Sequence, residues 1–175
     1  MTVRMRAAGI FLLALTLGAC GTVRPAAKPV PKPKPTSSWV LYTNRKVGVS
    51  LGHPQGWKPV KGYLWRIGGA DGFLQLLALN GADWTAQQAA QNQAAQQLHP
   101  FGTNPTIEPL TAGGQAGYLI MPSKDANQPT GAPVAELVLP YPTVETIDGV
   151  QYHFFILDAT ASLIQRIAAT VHFLQ

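Results

Sequence analysis

The chain has 175 residues, one cysteine, and 13 basic against 8 acidic residues. The basic excess lies at the start: Arg4, Arg6, Arg24, Lys28, Lys32 and Lys34 precede residue 39, and beyond it seven basic residues face eight acids, net −1. The basic total is therefore no argument for nucleic acid, the lone cysteine excludes a disulfide within the chain, and the 137 residues from Trp39 to Gln175 suit one domain with a sizeable core.

Arg4 and Arg6 are followed by an apolar stretch from Ala7 to Leu17, and Leu17-Gly18-Ala19 then precede Cys20. Charge, apolar run and small residues in that order describe a secretory signal. The run is too short for a comfortable membrane span. The residues before Cys20 resemble the lipobox of bacterial lipoproteins. That resemblance implies a signal peptide over 1–19, cleavage between Ala19 and Cys20, and acylation (palmitate or a similar chain) of the Cys20 sulfur. Two or three acyl chains anchor a protein stably where one is marginal. The address implied is the extracytoplasmic face of the cell membrane.

Residues 20–38 carry the lipidated cysteine and then GTVRPAAKPVPKPKPTSS, rich in Pro and Lys and without apolar periodicity. Such a segment buries too little surface to offset its ordering entropy. As extended polyproline at roughly 3.1 Å per residue it reaches on the order of 50 Å, enough to lift a domain clear of lipid headgroups.

In the domain, 39–43 and 47–51 read as a hairpin around Asn44-Arg45-Lys46, and His53-Pro54-Gln55-Gly56 breaks the chain. GYLWRI (62–67) is a third strand, closed by Gly68-Gly69. FLQLLALN (73–80) is nearly continuous apolar, as in a strand covered on both faces. Asp83 caps a helix over 84–98 that His99-Pro100 stops, with Ala86, Ala89, Ala90, Ala94 and Leu98 on its apolar side packed against the sheet. TIEPL (106–110) is an edge strand, because of its proline. Strands follow at 116–121, 132–141 and 150–157, the last after the turn signal Asp148-Gly149. A second helix starts near Thr160 or Ser162 and buries Leu163, Ile164, Ile167, Ala168 and Val171. The gaps between strands are mostly too short for parallel crossovers, so the expectation is an α+β domain on a largely antiparallel sheet.

The opening YTNRKVGVSLGHPQGWK, with Tyr42, Gly48, Val49, Leu51, Pro54, Gly56 and Trp57, resembles the start of PsbP-like and Mog1-like domains. The ending IQRIAATVHF, with Ile164, Ile167, Thr170 and Phe173, resembles their closing helix and strand. The resemblance covers 39–175 and implies an α/β/α sandwich around an antiparallel sheet. It also implies a role in binding or assembly, not catalysis.

No catalytic constellation stands out. His53 reads as exposed in a turn, His99 as sitting at the negative end of a helix dipole, and His153 as buried against a helix beside Phe155 and Leu157; His172 lies in the closing segment. None has metal-ligand spacing, and neither HExxH nor C-x-x-C occurs, so no metal or cofactor is expected. Ser50, Ser123 and Ser162 lie outside any G-x-S-x-G. Asp71, Asp83, Asp148 and Asp158 read as turn or cap residues, with no paired carboxylates for acid/base work. Trp57, Tyr63, Trp65 and Trp84 are the candidate binding residues, since exposed aromatics mark recognition sites. The expectation is a non-catalytic, membrane-anchored binding or assembly module, not an enzyme, whose partner is an envelope protein or wall polymer. The alternatives are an envelope hydrolase using His53 or His99 with Asp or Ser, and a purely structural spacer.

Overall fold

The computed structural model describes residues 38–126 and 132–174. The signal segment, Cys20 and the tether up to residue 37 lie outside the described residues. So do 127–131 and Gln175.

The first hairpin pairs β1 (Trp39–Asn44) with β2 (Val49–Pro54). Its turn is fixed by Asn44, whose Oδ1 accepts hydrogen bonds from the backbone N–H of Lys46 and Val47. β2 is buried from end to end and runs through His53 and Pro54, where a chain break was expected. A short β3 (Lys58–Pro59) pairs with β4 (Arg66–Gly69). The strand expected over 62–67 therefore starts only at Arg66. Trp65 has φ 54°, a left-handed conformation that no strand accommodates, and Gly68 and Gly69 belong to the strand they were expected to close. The reversal falls between Gly69 and Gly72, and β5 (Gly72–Leu79) follows.

Helix α1 spans Ala86–Ala94, shorter than 84–98. Its cap is Thr85, not Asp83. Thr85 Oγ1 accepts from Gln88 N–H while Gln88 Oε1 accepts from Thr85 N–H, a reciprocal capping box that fixes the start two residues later. The helix stops at Ala95, so Leu98 is not on a buried stripe and is 92% exposed. Ala89 and Ala90 are fully buried, with Ala86 and Ala94 packed beside them.

β6 (Thr106–Ala112) and β7 (Gln115–Met121) form the next hairpin. β8 (Val134–Ile147) extends well past Tyr141, through an irregularity between Pro140 and Glu145 that accommodates Pro142. Asp148 and Gly149, both at positive φ, turn it into β9 (Val150–Thr160). Thr160 therefore ends a strand and opens no helix. α2 (Ile164–Ala168) follows with Leu163 at its N-cap, and β10 (His172–Phe173) pairs with β2.

Among the described residues every strand pairing is antiparallel, in a seven-stranded sheet of order β3-β4-β5-β9-β8-β7-β6 and a three-stranded sheet of order β1-β2-β10. The described domain is thus α+β with a predominantly antiparallel sheet, and β6, carrying Pro109, lies at an edge as expected. Side chains of the large sheet alternate between two cores. Leu74, Leu76, Leu119, Leu137, Phe155 and Leu157 pack with β2 and α2, whereas Ile120, Val134, Val138, Phe154 and Ile156 pack with α1. That alternation is the period-two geometry of strands buried on both faces. Thr170 ties α2 to β2: its Oγ1 accepts from Gly52 N–H at 2.8 Å and donates to the Ile167 carbonyl at 2.6 Å.

Candidate functional site

Among the apolar side chains of the α1 face runs one polar row. Register places Arg66 of β4 opposite Gln75 of β5, Gln75 opposite Asp158 of β9, and Asp158 opposite Glu136 of β8. The row ends in Ile120 of β7. Directly opposed residues of antiparallel strands have Cβ atoms about 5 Å apart, so the two carboxyl groups share one small space.

Glu136 is 3% exposed, with Val134 and Val138 as its neighbours on the same face. Burial, then the charge of Asp158 and the hydrogen bond with it, hold the Glu136 carboxyl well above the usual carboxylate range. Asp158 is raised from 3.8 to about 6. Desolvation raises it, and a hydrogen bond from Glu136 and the charge of Arg66 oppose that rise. Two opposed carboxyls that hydrogen-bond each other need a proton between them, and the directions of the two shifts make Glu136 the donor and Asp158 the carboxylate. Glu136 Oε1 and Asp158 Oδ1 are buried without a hydrogen-bond partner.

Arg66 is fixed beside the pair. Its Nε donates to Gln75 Oε1 at 2.8 Å, and its guanidinium carbon lies 3.8 Å from the centre of the Tyr63 ring and 4.4 Å from that of Phe73. Held this way, it contributes charge to Asp158 while leaving the two carboxyl oxygens above unmet. The pair and Arg66 line a cleft of about 410 Å³. Gln93 and Gln96, at the end of α1 and just past it, form part of its wall. Phe73, Leu77, Phe101 and Ile156 form the apolar part. Concave, mainly apolar walls with a few convergent polar groups are the usual build of a small-ligand site.

The expectation that no carboxylates are paired is corrected here, as is the turn role for Asp158. The two residues are 22 positions apart and meet only through the β8–β9 register. The sequence does carry a signal: APVAELVLPY has one acid, and FLQLLAL one amide, in otherwise apolar strand runs.

The four aromatic candidates do not form one surface. Trp57 is 8% exposed, stacks on His53 with ring centres 5.9 Å apart, and donates from Nε1 to Asp71 at 2.6 Å. It is a core residue, not an exposed one. Tyr63 is half exposed over Arg66, at the margin of the cleft. Trp65 is partly buried and lines a separate hollow of about 260 Å³ with Leu64, Leu76, Ile147, Val150 and Tyr152. Trp84 is exposed just before α1. Ala19 and Cys20 lie outside the described residues.

His53 is buried, not exposed: it lies in β2 against Tyr42 and Trp57, with Nδ1 2.8 Å from the Pro54 carbonyl oxygen. His99 lies beyond the end of α1, at φ 46°, and is no helix-end histidine. His153 is half-buried and its Nδ1 has no partner. Ser123 donates to Asp125, and Thr103 also binds that carboxylate, lowering Asp125 to about 2. A carboxylate so held is a loop fastener, too weak a base to activate a hydroxyl. Among the described residues, no group of three or more His, Cys, Asp or Glu is placed to hold a metal ion, and no helix is long and apolar enough to cross a membrane.

No protein-family model matches the sequence. No curated protein matches it either. Among solved structures the chain is similar to cyanobacterial PsbP (CyanoP) from Synechocystis sp. PCC 6803, determined in solution, at 19% identity over 90% of this chain and 98% of that chain, with a TM-score of 0.39.

Proposed function

We propose that this chain is a bacterial lipoprotein whose PsbP-like or Mog1-like domain, an α/β/α sandwich, works as a non-catalytic binding or assembly module. Cys20 carries the lipid, residues up to 38 form the tether, and the domain stands off the extracytoplasmic face of the cell membrane. The single observation that carries the binding role is the cleft between α1 and the sheet. There a buried Glu136 oxygen without a partner lines a hollow of otherwise mainly apolar walls. An unmet buried polar atom costs roughly 1–3 kcal/mol, and a ligand donor is one way to recover it.

Two features favour binding over hydrolysis. His53, proposed as a base, is packed between aromatic rings. The two carboxyls hydrogen-bond each other. Glycoside hydrolysis needs about 5 Å or more between carboxyl groups so that a substrate fits between them. An envelope-protein partner is supported by Leu64, 67% exposed, and Val150, 45% exposed, beside the Trp65 hollow.

Gln93 stands on the cleft wall and is not a member of the carboxyl pair, so Gln93→Trp adds bulk to the cleft and leaves both carboxyl groups in the chain. The expected result is that immobilised wild-type chain retains a small molecule from an envelope extract and the Gln93→Trp chain does not. Equal retention by both chains, or turnover of an envelope substrate by the wild type, contradicts the proposal.

A further inference from the structure

The charge balance of the cleft says which class of molecule it would take. Of the residues that line it, only Arg66, Glu136 and Asp158 are charged. The opposing elements add nothing: β5 supplies Gln75, β7 supplies Ile120, and α1 has no acid in its first turn and no base in its last. With one proton between the carboxyls, the Arg66 cation and a single carboxylate balance. Remove that proton and one negative charge stands uncompensated at the foot of an apolar hollow, where isolated charge is most costly.

Resting on the reading of this cleft as a ligand site, we infer that it takes a small organic monocation, a primary ammonium or guanidinium on an aliphatic or aromatic body, whose charge replaces the proton held between Glu136 and Asp158. The exchange balances: the protonated pair plus the cation gives the ionised pair, the bound cation and one proton released to solvent. The N–H groups of the cation meet Glu136 Oε1 and Asp158 Oδ1, the two oxygens without partners. Arg66 cannot meet them from its present position, since Gln75 and the rings of Tyr63 and Phe73 hold it. The body of the ligand lies against Phe73, Leu77, Phe101 and Ile156. An anion finds the one remaining carboxylate and two unmet acceptors facing it. A neutral alcohol offers a single donor and leaves the proton where it is. A divalent cation leaves the cleft with net positive charge and finds two carboxylates only.

The test is calorimetry on the full-length chain with 2-phenylethylammonium and its neutral counterpart 2-phenylethanol, each in phosphate and in HEPES so that protons released are counted. The expected result is that the ammonium binds at least about tenfold more tightly, releases about one proton, and gains about tenfold in affinity per pH unit until the pair is fully ionised. Glu136→Gln, which keeps the size and a hydrogen-bond donor, abolishes proton release and weakens binding about tenfold or more. Should that variant not fold, Asp158→Asn, which removes the carboxylate and leaves the proton on Glu136, weakens ammonium binding about tenfold or more while proton release persists. Arg66→Gln removes a repelling cation and tightens ammonium binding several-fold, a direction that a merely structural arginine would not give. If the alcohol binds as tightly and no proton is released, the ligand class is overturned while the cleft remains a binding site. If neither probe binds, nor n-butylguanidinium, both the class and the binding role of the cleft are overturned.

Discussion

At pH 8 the Asp158→Asn chain is expected to be more stable than the wild type by about 3 kcal/mol, although it loses a charge that faces Arg66. The figure follows from Asp158's rise from 3.8 to about 6, roughly two units at 1.36 kcal/mol each. The sign is set by linkage. A folded-state value above the unfolded one means that the folded chain holds its proton more tightly. The contribution of Asp158 is therefore fully present below about pH 4, and is lost as pH rises through about 6. Burial outweighs the two opposing influences, the Glu136 hydrogen bond and the charge of Arg66. The carboxamide of Asn does not titrate, and it can accept from or donate to Glu136, so the variant avoids that loss while keeping a partner for its neighbour. Urea unfolding at pH 3.5 and pH 8 checks this. The two chains should agree within about 1 kcal/mol at the lower pH and separate at the higher. A variant that is less stable than wild type by the same margin at both values contradicts it, since Asp158 would then be a net favourable ion-pair partner of Arg66.

Cys20→Ser is expected to move the chain from the membrane fraction to the soluble fraction almost completely. The thiol is the only sulfur nucleophile in the chain, and serine cannot form the thioether. Without acyl chains, no multi-chain hydrophobic anchor remains. Detergent phase partitioning together with intact mass checks the result: wild type carries acyl mass and partitions into detergent, and the variant carries none and does not. Continued membrane retention of Cys20→Ser would mean that the apolar stretch 7–17 anchors the chain uncleaved.

How far the domain could be read from its sequence depended on how local the determining physics was. Asp148-Gly149 forms the expected turn because both residues take up positive φ, a property of the dipeptide itself. Pro109 marks an edge strand because a missing N–H is tolerated there. The apolar run 73–80 is covered on both faces, with Leu74 and Leu76 in one core and Phe73, Leu77 and Leu79 packed in the other. The limits of α1 were less legible. Asp83 and Thr85 are both good N-caps, and Gln88 decides for Thr85 by completing the capping box. His53 looked like a turn residue because Pro54 follows it, yet β2 continues through both. The candidate site was least legible. Glu136 and Asp158 each look like a lone acid in a strand, and only the strand order β5-β9-β8 turns Gln75, Asp158 and Glu136 into a row. Arg66 joins that row because its strand begins at Arg66 itself.

The binding role of the cleft depends on one physical state: a buried carboxyl pair that shares a proton beneath mainly apolar walls. Carbon-13 NMR of the side-chain carboxyl groups, followed from pH 3 to pH 9, observes that state directly. The expected result is an Asp158 midpoint near 6, with Glu136 losing its proton at higher pH than Asp158 and each titration curve moved by substitution of the other residue. Two independent midpoints near 4, as for carboxyl groups in water, would contradict it.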